Sequence, residues 1–126
     1  MLLVRASGST SSPGSWWLPG GGLHIGESLE ACLSREVREE TGLDVRIGPL
    51  LTAFADVTEP PDGPLHTVRL IYEVTPEGRL LVAEKDGSTN AVAWHPLETA
   101  MDLPSPPFVR CVLRELTGRG LRIGAE

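Results

Sequence analysis

The feature that most constrains this chain is a glycine turn that leads directly into an acid-rich segment, residues 21–43 with the sequence GGLHIGESLEACLSREVREETGL. If the segment is helical, residues at i, i+3 and i+4 share one face, so Glu36, Glu39 and Glu40 lie together. Like charges at these spacings destabilise an isolated helix. The segment therefore predicts a counter-charge close to these three carboxylates.

Capping signals place this helix at residues 28–40. Ser28 is expected to be the N-cap, because its hydroxyl can accept a hydrogen bond from a free amide of the first turn. Gly42 is expected to end the helix as the C′ residue. The apolar stripe that repeats every four residues, and that we expect to be buried, consists of Leu29, Leu33 and Val37.

The rest of the chain alternates short β-prone segments with turns and closes with a second helix. Strands are predicted at residues 2–6, 16–18, 45–57 with a break near Gly48 and Pro49, 66–74, 80–83 and 91–97. A single helical turn is predicted within residues 96–101. The second full helix follows Pro106 and Pro107, and its apolar face consists of Val109, Val112, Leu113 and Leu116. This order of short, turn-bounded strands favours an α+β or α/β sandwich.

Length and composition indicate a single domain over residues 1–126, since 40% of the residues are apolar and no linker is evident. The net charge of −6, with no basic patch, excludes a binder of nucleic-acid polymers. No apolar run approaches the roughly 20 residues of a membrane span, so a cytoplasmic protein is expected. The two cysteines, Cys32 and Cys111, are expected to be reduced packing thiols.

The predicted counter-charge is a divalent cation. Arg35 can pair with Glu39 at i+4, but one arginine cannot neutralise four acids once Glu27 is counted. Oxygen-only ligands select hard ions, so Mg²⁺ is expected, with Mn²⁺ as a substitute. A solvated acidic helix face is the alternative. The preceding glycines, residues 20–22, favour the metal site because they let the backbone approach a ligand closely.

Residues 21–43 resemble the signature box of the Nudix hydrolases, with every required position present. A looser resemblance covers residues 16–19 before the box and 91–97 near the end of the chain. The resemblance implies an α/β/α sandwich with a mixed β-sheet, in which the box forms a loop, a helix and a second loop. It also implies Mg²⁺-dependent hydrolysis of the diphosphate linkage in a nucleoside diphosphate derivative, the activity of MutT-like nucleotide pyrophosphatases.

The resemblance also assigns roles to individual residues. The metal ligands would be Glu36, Glu39, Glu40 and the carbonyl of Gly20. Glu39 could instead hold a bound water. The catalytic set would be Glu36, Glu39, Arg35 and Glu27. In that set Arg35 orients the glutamates, and Glu27 supports this network without binding the metal itself. Water would attack the diphosphate, and Glu36 or an acid from a later loop would take the proton.

The chain departs from the family pattern in two places. Asn90 and Ala91 stand where relatives often carry an acid, so Glu59, Glu84 and Asp86 remain candidates for a late general base. The strand at residues 2–6 corresponds to the second of the family's first two strands. We expect either that the first strand lies upstream or that a neighbouring subunit of a homodimer covers the exposed sheet edge.

Two functions remain open from the sequence. One is the metal-dependent hydrolase; the other is a catalytically silent nucleotide-binding or sensor domain with the same fold. Oxidised nucleotides and nucleotide sugars are both compatible substrates, and no substrate-binding residue is assigned. Aromatic side chains that could stack on a base are Trp17, Phe54 and Tyr72, although core packing is the default for each.

Overall fold

The computed structural model describes residues 1–6, 14–78 and 89–118, and for residues 2–6, 89 and 90 it describes the backbone alone. The strands are β1 (Leu2–Ala6), β2 (Trp16–Trp17), β3 (Asp44–Thr58), β4 (Leu65–Glu77) and β5 (Thr89–Trp94). The helices are α1 (Leu29–Thr41), α2 (Leu97–Ala100) and α3 (Pro107–Gly118). None of these helices is both long enough and apolar enough to cross a membrane. The strand predicted at residues 80–83 lies outside the described residues.

Helix α1 begins and ends where its capping residues predict. The Ser28 hydroxyl accepts a hydrogen bond from the Ala31 amide at 3.1 Å. At the other end Gly42 adopts a left-handed conformation, with φ +77°, and its amide donates to the Arg38 carbonyl. That conformation favours glycine because glycine carries no Cβ. Both ends of the carboxylate-bearing helix are therefore fixed by local contacts.

Two antiparallel sheets make up the β structure of the described residues. In the first sheet β1 lies between β2 and β5, with Val4 opposite Trp17 on one side and Val92 on the other. The second sheet is the long hairpin β3–β4. The predicted sandwich of helices and sheets is confirmed. The parallel pairing that a mixed sheet requires is not among the pairings of the described residues, and that part stays an expectation.

The break predicted in the third strand is a local irregularity within one continuous strand. The register between β3 and β4 shifts between Ile47 and Leu50 and again before Thr52. Pro49 has no amide to donate, and a Cβ at Gly48 would lie 3.0 Å from the Glu73 carbonyl oxygen. The strand continues through this bulge because the pairing resumes on its far side.

The main core lies between α3, α2 and the sheets. The apolar face predicted for α3 is confirmed, since Val109, Val112, Leu113 and Leu116 are all buried. Leu97 and Ala100 of α2 join them. Trp16, Leu18, Phe54 and Ile71 pack against this cluster from the strands. Burial of this face fixes the position of β2, which leads directly into the glycine turn.

Three residues that were predicted to be packed are not fully buried. Leu29 is 40% exposed, and Leu33 is only partly buried; the buried residues of α1 are Cys32, Val37, Glu40 and Thr41. The helix contacts β3 and β5, and apart from Cys32 its buried residues all lie in its C-terminal half, so Leu29 at its start lies outside the packed region. Cys111 is also exposed rather than packed, because it lies off the buried face of α3.

Candidate active site

The glycine turn and helix α1 are in direct contact through two carboxylates. The Gly20 amide donates a hydrogen bond to Glu40 Oε1 at 2.7 Å. A Cβ added at Gly21 would lie 2.6 Å from Glu36 Oε1 and 2.7 Å from Oε2, closer than real Cβ atoms approach other groups. The Glu36 carboxylate therefore occupies the space that a side chain at position 21 would need.

Arg35 connects three of the four acids. Its Nε and Nη2 donate to the two oxygens of Glu27 at 2.8 and 3.0 Å. Its Nη1 donates to Glu36 Oε1 at 2.8 Å and lies 3.3 Å from Glu39 Oε2, which is the predicted i+4 contact. Nη2 also donates to the Gly22 carbonyl at 3.2 Å. One guanidinium thus bridges the glycine turn, the following loop and the helix.

Glu27 is held in its ionised form. Its hydrogen bonds from Arg35 and from the His24 amide lower its pKa from an ordinary 4.5 to about 2, with Arg35 as the larger cause. In return, Glu27 raises the pKa of Arg35 above its ordinary range, so this pair stays charged at all moderate pH values. The Glu27–Arg35 pair is therefore a fixed ionic anchor beside the carboxylate helix.

This anchor predicts an acid-side loss of stability that depends on Glu27. A carboxyl with a lowered pKa stabilises the folded chain above its unfolded pKa of about 4.5, and the contribution disappears as the pH falls towards 2. We expect Glu27→Gln to lower the urea midpoint at pH 7, and we expect its difference from the parent to shrink towards pH 2.5. Urea unfolding followed by circular dichroism measures both midpoints.

Glu30→Gln is the matched control for this measurement. Glu30 lies in the first turn of the same helix and forms no ion pair among the described residues. Its difference from the parent should stay small at both pH values. An undiminished deficit of Glu27→Gln at pH 2.5 would show that its effect does not come from the ionised carboxylate.

Cys32 belongs to the same network, a contact that was not predicted from the sequence. Its thiol lies 3.7 Å from the Gly21 carbonyl, to which it donates, and 3.8 Å from Arg35 Nη2. Burial first, and the charge of Glu27 second, raise the pKa of this thiol. It is therefore a neutral packing group beneath the turn. The i, i+3 spacing of Cys32 and Arg35 was the available sequence signal.

The three glutamates that are predicted to bind the metal accept hydrogen bonds from two different donors. Glu36 and Glu39 converge on Arg35 Nη1, while Glu40 is buried, 6% exposed, and accepts from the Gly20 amide. Within residues 1–6, 14–78 and 89–118, no three His, Cys, Asp or Glu side chains lie close enough together to hold one ion. The ligand set of Glu36, Glu39, Glu40 and the Gly20 carbonyl stays a prediction.

A family model for the NUDIX domain matches residues 1–116, which is most of the chain. The chain belongs to the Nudix family. The match includes the glycine turn and helix α1 and ends within α3. The resemblance of residues 21–43 to the family's box is therefore confirmed.

Individual relatives agree with this assignment. Over 107 residues, the chain is 29% identical to a MutT-like protein of Streptomyces ambofaciens, a match that covers 85% of this chain and 64% of the relative. It is 34% identical over 95 residues to the 8-oxo-dGDP phosphatase NUDT18 of Homo sapiens, which covers 74% of this chain and 26% of that protein. The chain thus spans less than two thirds of the length of either relative.

A solved structure supports the fold. The MutT NUDIX hydrolase of Burkholderia pseudomallei superposes with a TM-score of 0.74 at 26% identity. The superposition covers 91% of this chain and 86% of that protein. The arrangement of sheets and helices described above is therefore that of a Nudix domain.

Outside the box, the Nudix domain leaves the late general base unassigned. Glu59 is exposed in the turn between β3 and β4, and Glu84 and Asp86 lie outside the described residues. The candidate stacking residue Phe54 packs against the core, and Trp17 makes an edge-to-face contact with Phe108. Both aromatic side chains thus have structural partners.

Proposed function

We propose that this Nudix domain hydrolyses a phosphoanhydride bond in a nucleoside diphosphate derivative and requires a divalent cation, Mg²⁺ or Mn²⁺. The observation that carries the proposal is the packing of the Glu36 carboxylate into the space left by the missing side chain of Gly21. The name of one relative, an 8-oxo-dGDP phosphatase, supports a nucleotide substrate.

The predicted ligands of the turn and helix match a hard divalent ion in their chemistry. Every atom that would bind the metal is an oxygen, and Mg²⁺ and Mn²⁺ prefer oxygen ligands. The close approach of Glu36 to Gly21 brings a carboxylate beside the backbone of the turn, where a carbonyl can complete a ligand set. Glu36, Glu39, Glu40 and the Gly20 carbonyl are the groups that would hold the ion.

When bound, the ion would neutralise phosphate oxygens and lower the pKa of an attacking water. The chain itself would contribute position and proton transfer. Arg35 and Glu27 hold the helix carboxylates against the turn. The side chain of Glu36 is only 17% exposed, so its surroundings hold it in a fixed orientation. The side chain of Glu39 is 46% exposed and is open to water. Glu36 is the proposed proton acceptor, with an acid of a later loop as the alternative.

A nucleotide panel tests the proposal. Nucleoside triphosphates, oxidised nucleotides, ADP-ribose and nucleotide sugars are incubated with the protein in Mg²⁺, in Mn²⁺ or in a chelator, and release of phosphate-containing products is measured. We expect turnover of at least one substrate with either metal and none with the chelator. Nucleotide binding without turnover would instead favour the sensor function, and turnover that survives chelation would contradict the metal requirement.

A further inference from the structure

The guanidinium of Arg35 has two ends with different partners. The edge formed by Nε and Nη2 makes two hydrogen bonds to Glu27, at 2.8 and 3.0 Å. The third nitrogen, Nη1, points to the helix carboxylates, at 2.8 Å from Glu36 and 3.3 Å from Glu39. A positive group therefore already lies at the point where these two glutamates converge.

The same two glutamates are ligands in the proposed function, on which this inference rests. A divalent cation and the Nη1 group would compete for their oxygens and would repel each other as like charges. We propose that Arg35 is the internal counter-cation of the metal-free site, and that a divalent cation displaces Nη1 from Glu36 and Glu39 while Glu27 keeps the other edge of the guanidinium in place.

The two ends of the guanidinium differ in the number of their partners and not in their shortest contact, which is 2.8 Å at each end. The retained edge has further partners besides Glu27, since Nη2 also contacts the Gly22 carbonyl and the Cys32 thiol. Glu27 is itself fixed, because it accepts from the His24 amide and its side chain is only 14% exposed. The Nη1 contact with Glu39 is long, and the Glu39 side chain is 46% exposed. Release of Nη1 therefore leaves most of the arginine's hydrogen bonds intact.

This arrangement also accounts for the tolerance of the acid cluster without metal. Three of its four acids share the charge of Arg35, and the fourth, Glu40, accepts from the Gly20 amide. A residue that only orients the glutamates should strengthen metal binding. A residue that occupies their shared site should weaken it. The two roles predict opposite signs for the effect of removing Arg35.

The test is titration calorimetry of the metal-free protein with MnCl₂ alone, at low ionic strength and without nucleotide. We expect Arg35→Gln to bind Mn²⁺ about fivefold more tightly than the parent, the size expected for losing a partly exposed repulsive charge. Glu27→Gln should bind it more weakly, because a guanidinium freed from its anchor stays on Glu36 and Glu39. Arg38→Gln, which removes an exposed arginine of the same helix, is the charge control and should change affinity less than Arg35→Gln.

A second measurement needs no substitution. In the parent protein with ¹⁵N-labelled arginine, addition of Mg²⁺ should speed the rotation and solvent exchange of the Arg35 Nη1 hydrogens, while the Nε hydrogen stays protected by Glu27. Circular dichroism of each variant checks that the fold is retained.

The outcomes separate this inference from the proposed function. If the parent binds neither Mn²⁺ nor Mg²⁺, both are wrong. If the parent binds Mn²⁺ but Arg35→Gln binds it equally or more weakly, only the displacement is wrong, and Arg35 then acts by orienting the glutamates. An Nη1 signal that Mg²⁺ leaves unchanged would likewise overturn the displacement, whatever the variants do.

Discussion

Replacing Glu40 by Gln is expected to lower metal-dependent turnover by about 100-fold or more, because a catalytic metal supplies several kcal/mol and each 1.4 kcal/mol is about tenfold in rate. Glu40 is buried and accepts from the Gly20 amide at 2.7 Å. The glutamine carbonyl can still accept that hydrogen bond, so the turn stays attached to the helix. The negative charge is removed and one carboxylate oxygen becomes an amide nitrogen, and kcat/KM on the best substrate of the panel measures the loss.

Two further measurements make this result specific. Thermal unfolding should be close to that of the parent, since burying a neutral amide that keeps its hydrogen bond costs less than burying a charge. Glu30→Gln, on the first turn of the same helix, removes the same charge away from the site and should retain turnover. A Glu40→Gln enzyme that hydrolyses substrate as fast as the parent would remove Glu40 from the metal site.

Replacing Gly21 by Ala is expected to lower metal-dependent turnover by a factor similar to that of Glu40→Gln, although it changes no charged group. The new Cβ would fall 2.6 Å from Glu36 Oε1, so the carboxylate must move away from the turn. A displacement on the order of 1 Å at a reacting group can lower the rate by about 100-fold. We expect a large loss of turnover together with weaker Mn²⁺ binding, measured by kinetics and by calorimetry.

The neighbouring glycine provides the control. A Cβ at Gly22 meets nothing within 4 Å among the described residues, so Gly22→Ala adds the same methyl group without the clash. Its effect should stay within about twofold, as for substitutions that touch no special feature. Equal losses in the two variants would mean that flexibility of the turn, and not the space beside Glu36, explains the requirement for glycine.

Local signals predicted the helix that carries the acids. Ser28 and Gly42 cap α1 as expected because a cap depends only on residues within one turn of the helix end. The acid spacing and the preceding glycines were likewise sufficient to identify the family, and the family model confirms it. Such features are encoded over a few residues, and no distant part of the chain has to be known.

Burial was predicted less well because it depends on what lies opposite a face. Leu29 fits the four-residue repeat of α1 and yet is exposed, while Glu40, which lies off that stripe, is buried. An apolar residue is buried only where another element covers it, and a charged residue can be buried where a donor such as the Gly20 amide meets it. Periodicity describes one helix and contains no information about its neighbours.

The sequence by itself identified the family, through the resemblance of residues 21–43 to its signature box. It also determined the ends of the carboxylate helix, through its capping residues, and which side chains could reach one another along it, through helical spacing. Only the tertiary structure decided that Glu36 fills the space beside Gly21 and that one guanidinium is divided between Glu27 and the helix acids. The physical reason is that these contacts cross a turn. Its path depends on the packing of Trp16 and Leu18 against the core, which lies far from the box along the chain.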